Sequence, residues 1–235
     1  PTASASTPPA SASGAAPACP ADMRLVDHPH AEAMDHTCTD QRGKYCFAFA
    51  PNVSRPRGEV LQIRTCMDVY EAPNVRGALP IVMKSGVDAE AYCAARGKRL
   101  CSEHEWETAC EGPELRPWVY GWTADGKTCN SGKSWRPFDA VALYAGGAAM
   151  EKEMERLWQG EASGTRAACV SQDGVHDLVG NVEEWVTARK GRTFRLALMG
   201  GFWAKPWTGC RGTNDAHEPA FRFYEVGFRC CKDPT

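Results

Sequence analysis

Asp177-Leu178-Val179-Gly180-Asn181-Val182-Glu183-Glu184-Trp185, Met199-Gly200-Gly201-Phe202-Trp203 and Gly227-Phe228-Arg229-Cys230-Cys231 fall in that order in the last quarter of the chain, with Cys210-Arg211 between the second and the third. Each sets glycine beside apolar or aromatic residues. Further glycines stand at 191, 209 and 212. Glycine takes backbone conformations closed to other residues, so the spacing predicts short strands joined by tight turns from Val175 onward.

Working outward, two helices are marked upstream. Asp88–Arg96 ends at Gly97, a position suited to the residue after a helix. Ser102-Glu103-His104-Glu105 is a capping box that opens a second helix carrying Trp106 and Cys110. Val60–Tyr70 alternates and is rich in β-branched residues, as a strand should be. Asp27-His28-Pro29-His30 and Asp35-His36 form a His/Asp cluster that suits a solvated loop better than a metal site. Residues 112–170 are rich in Gly, Ala and Trp. Within them Ala148–Gln159 has helical spacing, with Met150, Met154, Leu157 and Trp158 to one side. Residues 1–18 are Pro, Ala, Ser, Thr and Gly without charge or aromatics. Such a segment buries too little apolar surface to offset its ordering entropy and reads as a tether, with the globular part beginning at Cys19.

The chain has 235 residues and a net charge of −2, so no basic footprint points to nucleic acid. No apolar run reaches the length of a membrane span, and membrane contact is expected only through an N-terminal anchor. Its 12 cysteines include no Cys-x-x-Cys pair, which favours a disulfide framework over metal knuckles. The expected location is therefore oxidising, extracellular or periplasmic, with the tether holding the domain to the envelope.

The three opening segments, together with Val69-Tyr70-Glu71-Ala72-Pro73-Asn74 and Gly97-Lys98-Arg99-Leu100-Cys101-Ser102-Glu103-His104-Glu105-Trp106, resemble the ordered markers of the formylglycine-generating enzyme (sulfatase-modifying factor) family. Cys101 stands where the family has proline. The resemblance spans about residues 20–233 and implies an α+β, C-type-lectin-like fold of low regular content over 19–235, with a divergent insertion at about 130–168. It also implies two disulfides, Cys93–Cys230 and Cys110–Cys210. Cys101 and Cys231 lie beside them and could form a third bridge, and Cys129–Cys169 a fourth. That leaves Cys19, Cys38, Cys46 and Cys66 to pair among themselves in three ways.

The oxidases of the family carry two copper-binding cysteines after Gly-Gly. Here, counted forward from Gly200-Gly201, the two positions fall on Lys205 and Cys210. Counted back from Gly227-Phe228-Arg229-Cys230, Cys210 takes the structural place instead. Neither count yields the thiolate pair that selects Cu(I), so copper is not expected. The resemblance further implies a structural calcium held by Asp177, the Gly180 and Val182 carbonyls and Glu184, an oxygen set suited to a hard cation. The competing reading is a turn in which Glu184 caps backbone amides. A second calcium would begin at Asn130 and the Ser131 carbonyl. Aromatic and basic residues around the shortened loop, Lys205, Trp207, Arg211, Arg222 and Tyr224, make a candidate binding loop. The expected function is a non-catalytic, exported binding or assembly module with a protein or glycan partner. The alternative is a metal-dependent oxidase of the same family with an altered site, acting on an envelope protein or a small molecule.

Overall fold

A computed structural model of the chain describes residues 18–205 and 209–235. Apart from Ala18, the expected tether lies outside them, as does Trp207. The described chain is built on two four-stranded sheets with helices beside them. The first sheet holds β1 (Met23–Asp35), β4 (Arg55–Asp68), β10 (Cys230–Lys232) and β5 (Arg99–Leu100) in the order β1-β4-β10-β5. The second holds β8 (Gly209–Asn214), β7 (Leu196–Gly200), β6 (Glu183–Thr187) and β9 (Val226–Phe228), in that order. β6 pairs antiparallel with β7 and parallel with β9. A separate hairpin, β2 (Cys38–Arg42) and β3 (Tyr45–Phe49), grows from the far end of the long β1–β4 ribbon.

The helices start where their caps dictate. α1 (Gly86–Ala94) is capped by Ser85 with Asp88 at N3, a box upstream of the expected start at Asp88. α2 (Glu103–Glu111) has the Ser102–Glu105 box in place. The insertion carries α4 (Gly147–Leu157), close to the expected helix, and an unforeseen α3 (Ala140–Ala145) capped by Asp139. Two buried clusters make the core. One gathers Val26, Met67, Trp106, Trp118, Leu178 and Met199. The other gathers Ala89, Leu100, Trp185, Leu198, Trp203 and Phe228.

The His/Asp cluster read as a solvated loop is strand instead. His28 and His30 point inward from β1, and His30 is fully buried. α2 makes this tolerable. Glu103, Glu107 and Glu111 recur every fourth residue, form one buried stripe, and meet basic side chains from three directions. Arg189 and Arg192 hold Glu103, Arg211 holds Glu111, and His30 Nε2 lies 3.3 Å from Glu107. Unpaired, these carboxylates would be costly to bury.

All 12 cysteines lie in six disulfides. The structure contains Cys93–Cys230, Cys110–Cys210, Cys101–Cys231 and Cys129–Cys169, and it pairs the remaining four as Cys19–Cys66 and Cys38–Cys46. The two ends of the described chain meet, with Thr235 N donating to Ala18 O at 3.1 Å.

Candidate functional site

Two places gather the residues singled out above: a buried polar cluster under the Asp177–Trp185 turn, and an open groove beside the shortened loop.

The turn depends on Gly180. Its φ is +77°, and a Cβ there would lie 2.3 Å from Asn130 O. That close approach lets Asn181 N donate to Asn130 O at 2.8 Å, while Asn130 Nδ2 donates to Asn181 Oδ1 at 2.9 Å. The two expected cation sites are therefore neighbours in one cluster. Within it, Asp177 Oδ2 accepts from Gly164 N at 2.7 Å. Glu71 accepts from Ser163 Oγ at 2.6 Å and from Asn181 Nδ2 at 2.7 Å.

Glu184 is committed elsewhere. Arg229 Nη2 and Nε donate to its two oxygens at 2.6 and 2.7 Å, and Trp106 Nε1 adds a third bond at 2.9 Å. Its carboxylate is thus the counter-charge of a buried guanidinium and does not cap turn amides. Beside Asn130, Lys133 Nζ donates to Gln159 O at 2.7 Å and to Glu161 at 3.1 Å, while Asn130 Oδ1 is buried without a hydrogen-bond partner among the described residues.

Asp177 sits among other carboxylates. Glu71, Asp177 and Glu184 bury three carboxylates around the single buried guanidinium of Arg229. Burial pushes Asp177 up to about 6, partly offset by the Gly164 amide, and burial with the negative Asp177 pushes Glu71 up to about 8. This surplus of negative charge is what a hard cation on Asp177 and the Gly180 and Val182 carbonyls would neutralise. Among the described residues, no three His, Cys, Asp or Glu side chains form a metal-binding group, so carbonyls would have to complete any such site.

The groove encloses about 690 Å³. One wall is the β2–β3 hairpin with His36, Arg42, Lys44, Tyr45, Cys46, Phe47 and Phe49. The other is Trp118, Tyr120, Lys133, Ala204, Lys205 and Arg211. Backbone bonds fasten the walls together: Phe49 N to Trp122 O at 2.9 Å, and Ala124 N to Phe47 O at 2.8 Å. The Phe49 ring meets Trp118 at 5.6 Å, and Trp118 stacks near Tyr120.

Of the described residues of the candidate loop, the groove brings together Lys205 and Arg211 only. Lys205 is tied to Glu183, and Arg211 to Glu111. Arg222 is exposed and lines a different hollow beside Val82 and Tyr144. Tyr224 is buried among Trp203 and Phe223, so it belongs to the core and not to a binding surface. Cys210, bonded to Cys110, takes the structural place that the backward count gave it. The hairpin wall was missed from sequence. Its signal was the closely spaced aromatics Tyr45, Phe47 and Phe49.

Residues 50–234 match the family model described as "Sulfatase-modifying factor enzyme 1-like domain". The chain is 31% identical over 160 residues to "Inactive C-alpha-formylglycine-generating enzyme 2" of Bos taurus, covering 64% of this chain and 49% of that protein. It is 31% identical over 161 residues to the Mus musculus protein of the same name, covering 65% and 48%. It thus spans about half the length of these relatives. Among solved structures it is similar to PvdO from Pseudomonas aeruginosa, at TM-score 0.57 and 17% identity over 94% of this chain and 100% of that one. It is likewise similar to CarF, at TM-score 0.57 and 12% identity over 91% and 98%.

Proposed function

The chain belongs to the sulfatase-modifying factor enzyme 1-like family, and from that premise we propose that it is a non-catalytic binding module of the extracellular space or periplasm. Its protein or glycan ligand would lie in the groove between the β2–β3 hairpin and Trp118. The observation that carries this reading is Cys110–Cys210 together with Lys205 and Glu183. The two places that could have supplied active thiols hold a disulfide sulfur and an ion-paired ammonium. With every sulfur bonded, the soft donors for copper are missing. What remains is an aromatic-walled groove, a usual form of recognition site. Similarity to proteins named as inactive formylglycine-generating enzymes supports the same direction. The six disulfides support export to an oxidising compartment.

The proposal includes one structural calcium at Asp177, supported by the buried charge surplus. Bound there, the ion would supply electrostatic neutralisation and nothing chemical. Arg229 would keep Glu184 fixed, and the Gly164 amide would orient the Asp177 carboxylate.

Three measurements test the reading. Elemental analysis should find about one equivalent of calcium, lost in Asp177→Asn. A cysteine peptide offered with copper and dioxygen should show no formylglycine by mass spectrometry, and turnover would refute the non-catalytic reading. Peptide and glycan arrays probed with the wild type and with Phe47→Ala, a partly exposed groove residue, should show a specific signal that the variant loses. No specific signal on either array would refute the binding role.

A further inference from the structure

The six disulfides are not equivalent. Both sulfur-bearing residues are buried in the four bridges that join 93 to 230, 101 to 231, 110 to 210 and 129 to 169, and Cys66 is fully buried in the fifth. In Cys38–Cys46 alone are both residues partly exposed, and Cys46 lines the groove.

This bridge is also spare to the fold. Cys46 sits on β3, which is fastened to the body by the Phe47 and Phe49 backbone bonds and by the pairing of Ala48 with Thr123. Cys38 sits on β2, whose only strand partner is β3. Opening the bridge would leave Cys46 where it is and free only the outer strand. The lining contains five Lys or Arg (Arg42, Lys44, Lys133, Lys205, Arg211) and two acids (Glu111, Asp125). Arg42, Lys133, Lys205 and Arg211 also hold carboxylates, three of which (Asp40, Glu161, Glu183) lie outside the lining. A mouth edged by cations attracts a thiolate and stabilises the charge spread over three sulfurs during exchange.

We infer that Cys38–Cys46 is a thiol–disulfide exchange site at which the groove captures a thiolate-bearing ligand covalently through Cys46. The ligand thiolate attacks Cys46 Sγ. A ligand–Cys46 S–S bond forms, the Cys46–Cys38 bond breaks, and Cys38 leaves as a thiolate that takes a proton from water. One disulfide replaces another, so no oxidant or reductant is consumed. The inference goes beyond the binding reading, and each can fail alone: array binding does not require sulfur chemistry, and exchange with a small thiol does not require the natural ligand.

The native protein is incubated with glutathione or with a cysteine-containing decapeptide, quenched with N-ethylmaleimide, and mapped by mass spectrometry alongside circular dichroism. The expected product carries the thiol on Cys46 and the maleimide on Cys38, with five bridges intact and the dichroism unchanged. Reaction with glutathione alone marks a small-thiol site, and reaction with the peptide alone marks a polypeptide site; either supports the inference. No adduct with either thiol, an adduct on another cysteine, or an adduct only after the dichroism is lost overturns it. Arg42→Gln/Lys44→Gln should slow the exchange by roughly threefold to tenfold. An unchanged rate would show a merely exposed bridge and overturn the claim of a built site. Cys38→Ser should leave Cys46 labelled by maleimide in the folded protein, and protection of that thiol would overturn it equally.

Discussion

Arg229 and Glu184 show how single residues fix this molecule. Both are buried, and they hold each other through two bonds. Replacing Arg229 by Met would leave Glu184 charged and unmatched beside Glu71 and Asp177. Chemical denaturation should show a loss of about 3–5 kcal/mol. Gly180→Ala should cost about as much as a severe core change, roughly 3 kcal/mol or more, because it combines a left-handed φ of +77° with a contact of 2.3 Å to backbone oxygen. Glu225 supplies a pH test. Burial, reinforced by Glu183, pushes it from 4.5 up to about 8. Its folded pKa is raised, so the stability it contributes is complete below about 4.5 and is lost as pH rises toward 8. Between those values the slope is at most about 1.4 kcal/mol per pH unit. Glu225→Gln should flatten the fall of Tm between pH 5 and 8, and an unchanged profile would refute this assignment. At this scale the turn at Gly180 was legible in the sequence, while its close approach to Asn130, 50 residues away, was not. Tyr224 was not, because whether an aromatic faces solvent depends on neighbours such as Trp203 that only the fold supplies.

At the scale of elements, caps were the most legible feature. The Ser102–Glu105 box starts α2 where its four residues say it must, and Ser102→Ala should lower stability by about 1 kcal/mol, read as a drop in Tm of roughly 2–4 °C. β1 was illegible for an opposite reason. Its alternation is real, with Val26, His28 and His30 inward, but two of the three inward residues are histidines. His28 is received by Asp173, 145 residues along the chain, and His30 lies beside Glu107 on α2. A pattern of apolar residues cannot reveal a face whose partners are that remote. α3 escaped notice because Gly146 and Gly147 set it off as a helix of 6 residues, too few turns to show a period, whereas the 11 residues of α4 suffice.

For the whole molecule, the family markers carried the α+β architecture because they lie at turns and strand ends that many sequences can share only by sharing the fold. The hairpin wall lies before residue 50, where the match to the family model begins, and none of the markers that carried the resemblance falls in it. Cys93–Cys230 spans 137 residues, but Cys101–Cys231 ties almost the same two points, so Cys93→Ala/Cys230→Ala should cost only about 2–3 kcal/mol in denaturant titration. The meeting of the two ends has a mechanical consequence. A pull applied at Ala18 and Thr235 enters through Cys19, crosses to Cys66, runs along the backbone to Cys93, and leaves through Cys230. Every groove-lining residue, from His36 to Phe49 and from Glu111 to Gly212, hangs in loops off that covalent line. A molecule strung between a tether and a load would therefore carry tension through its spine while its groove kept its shape.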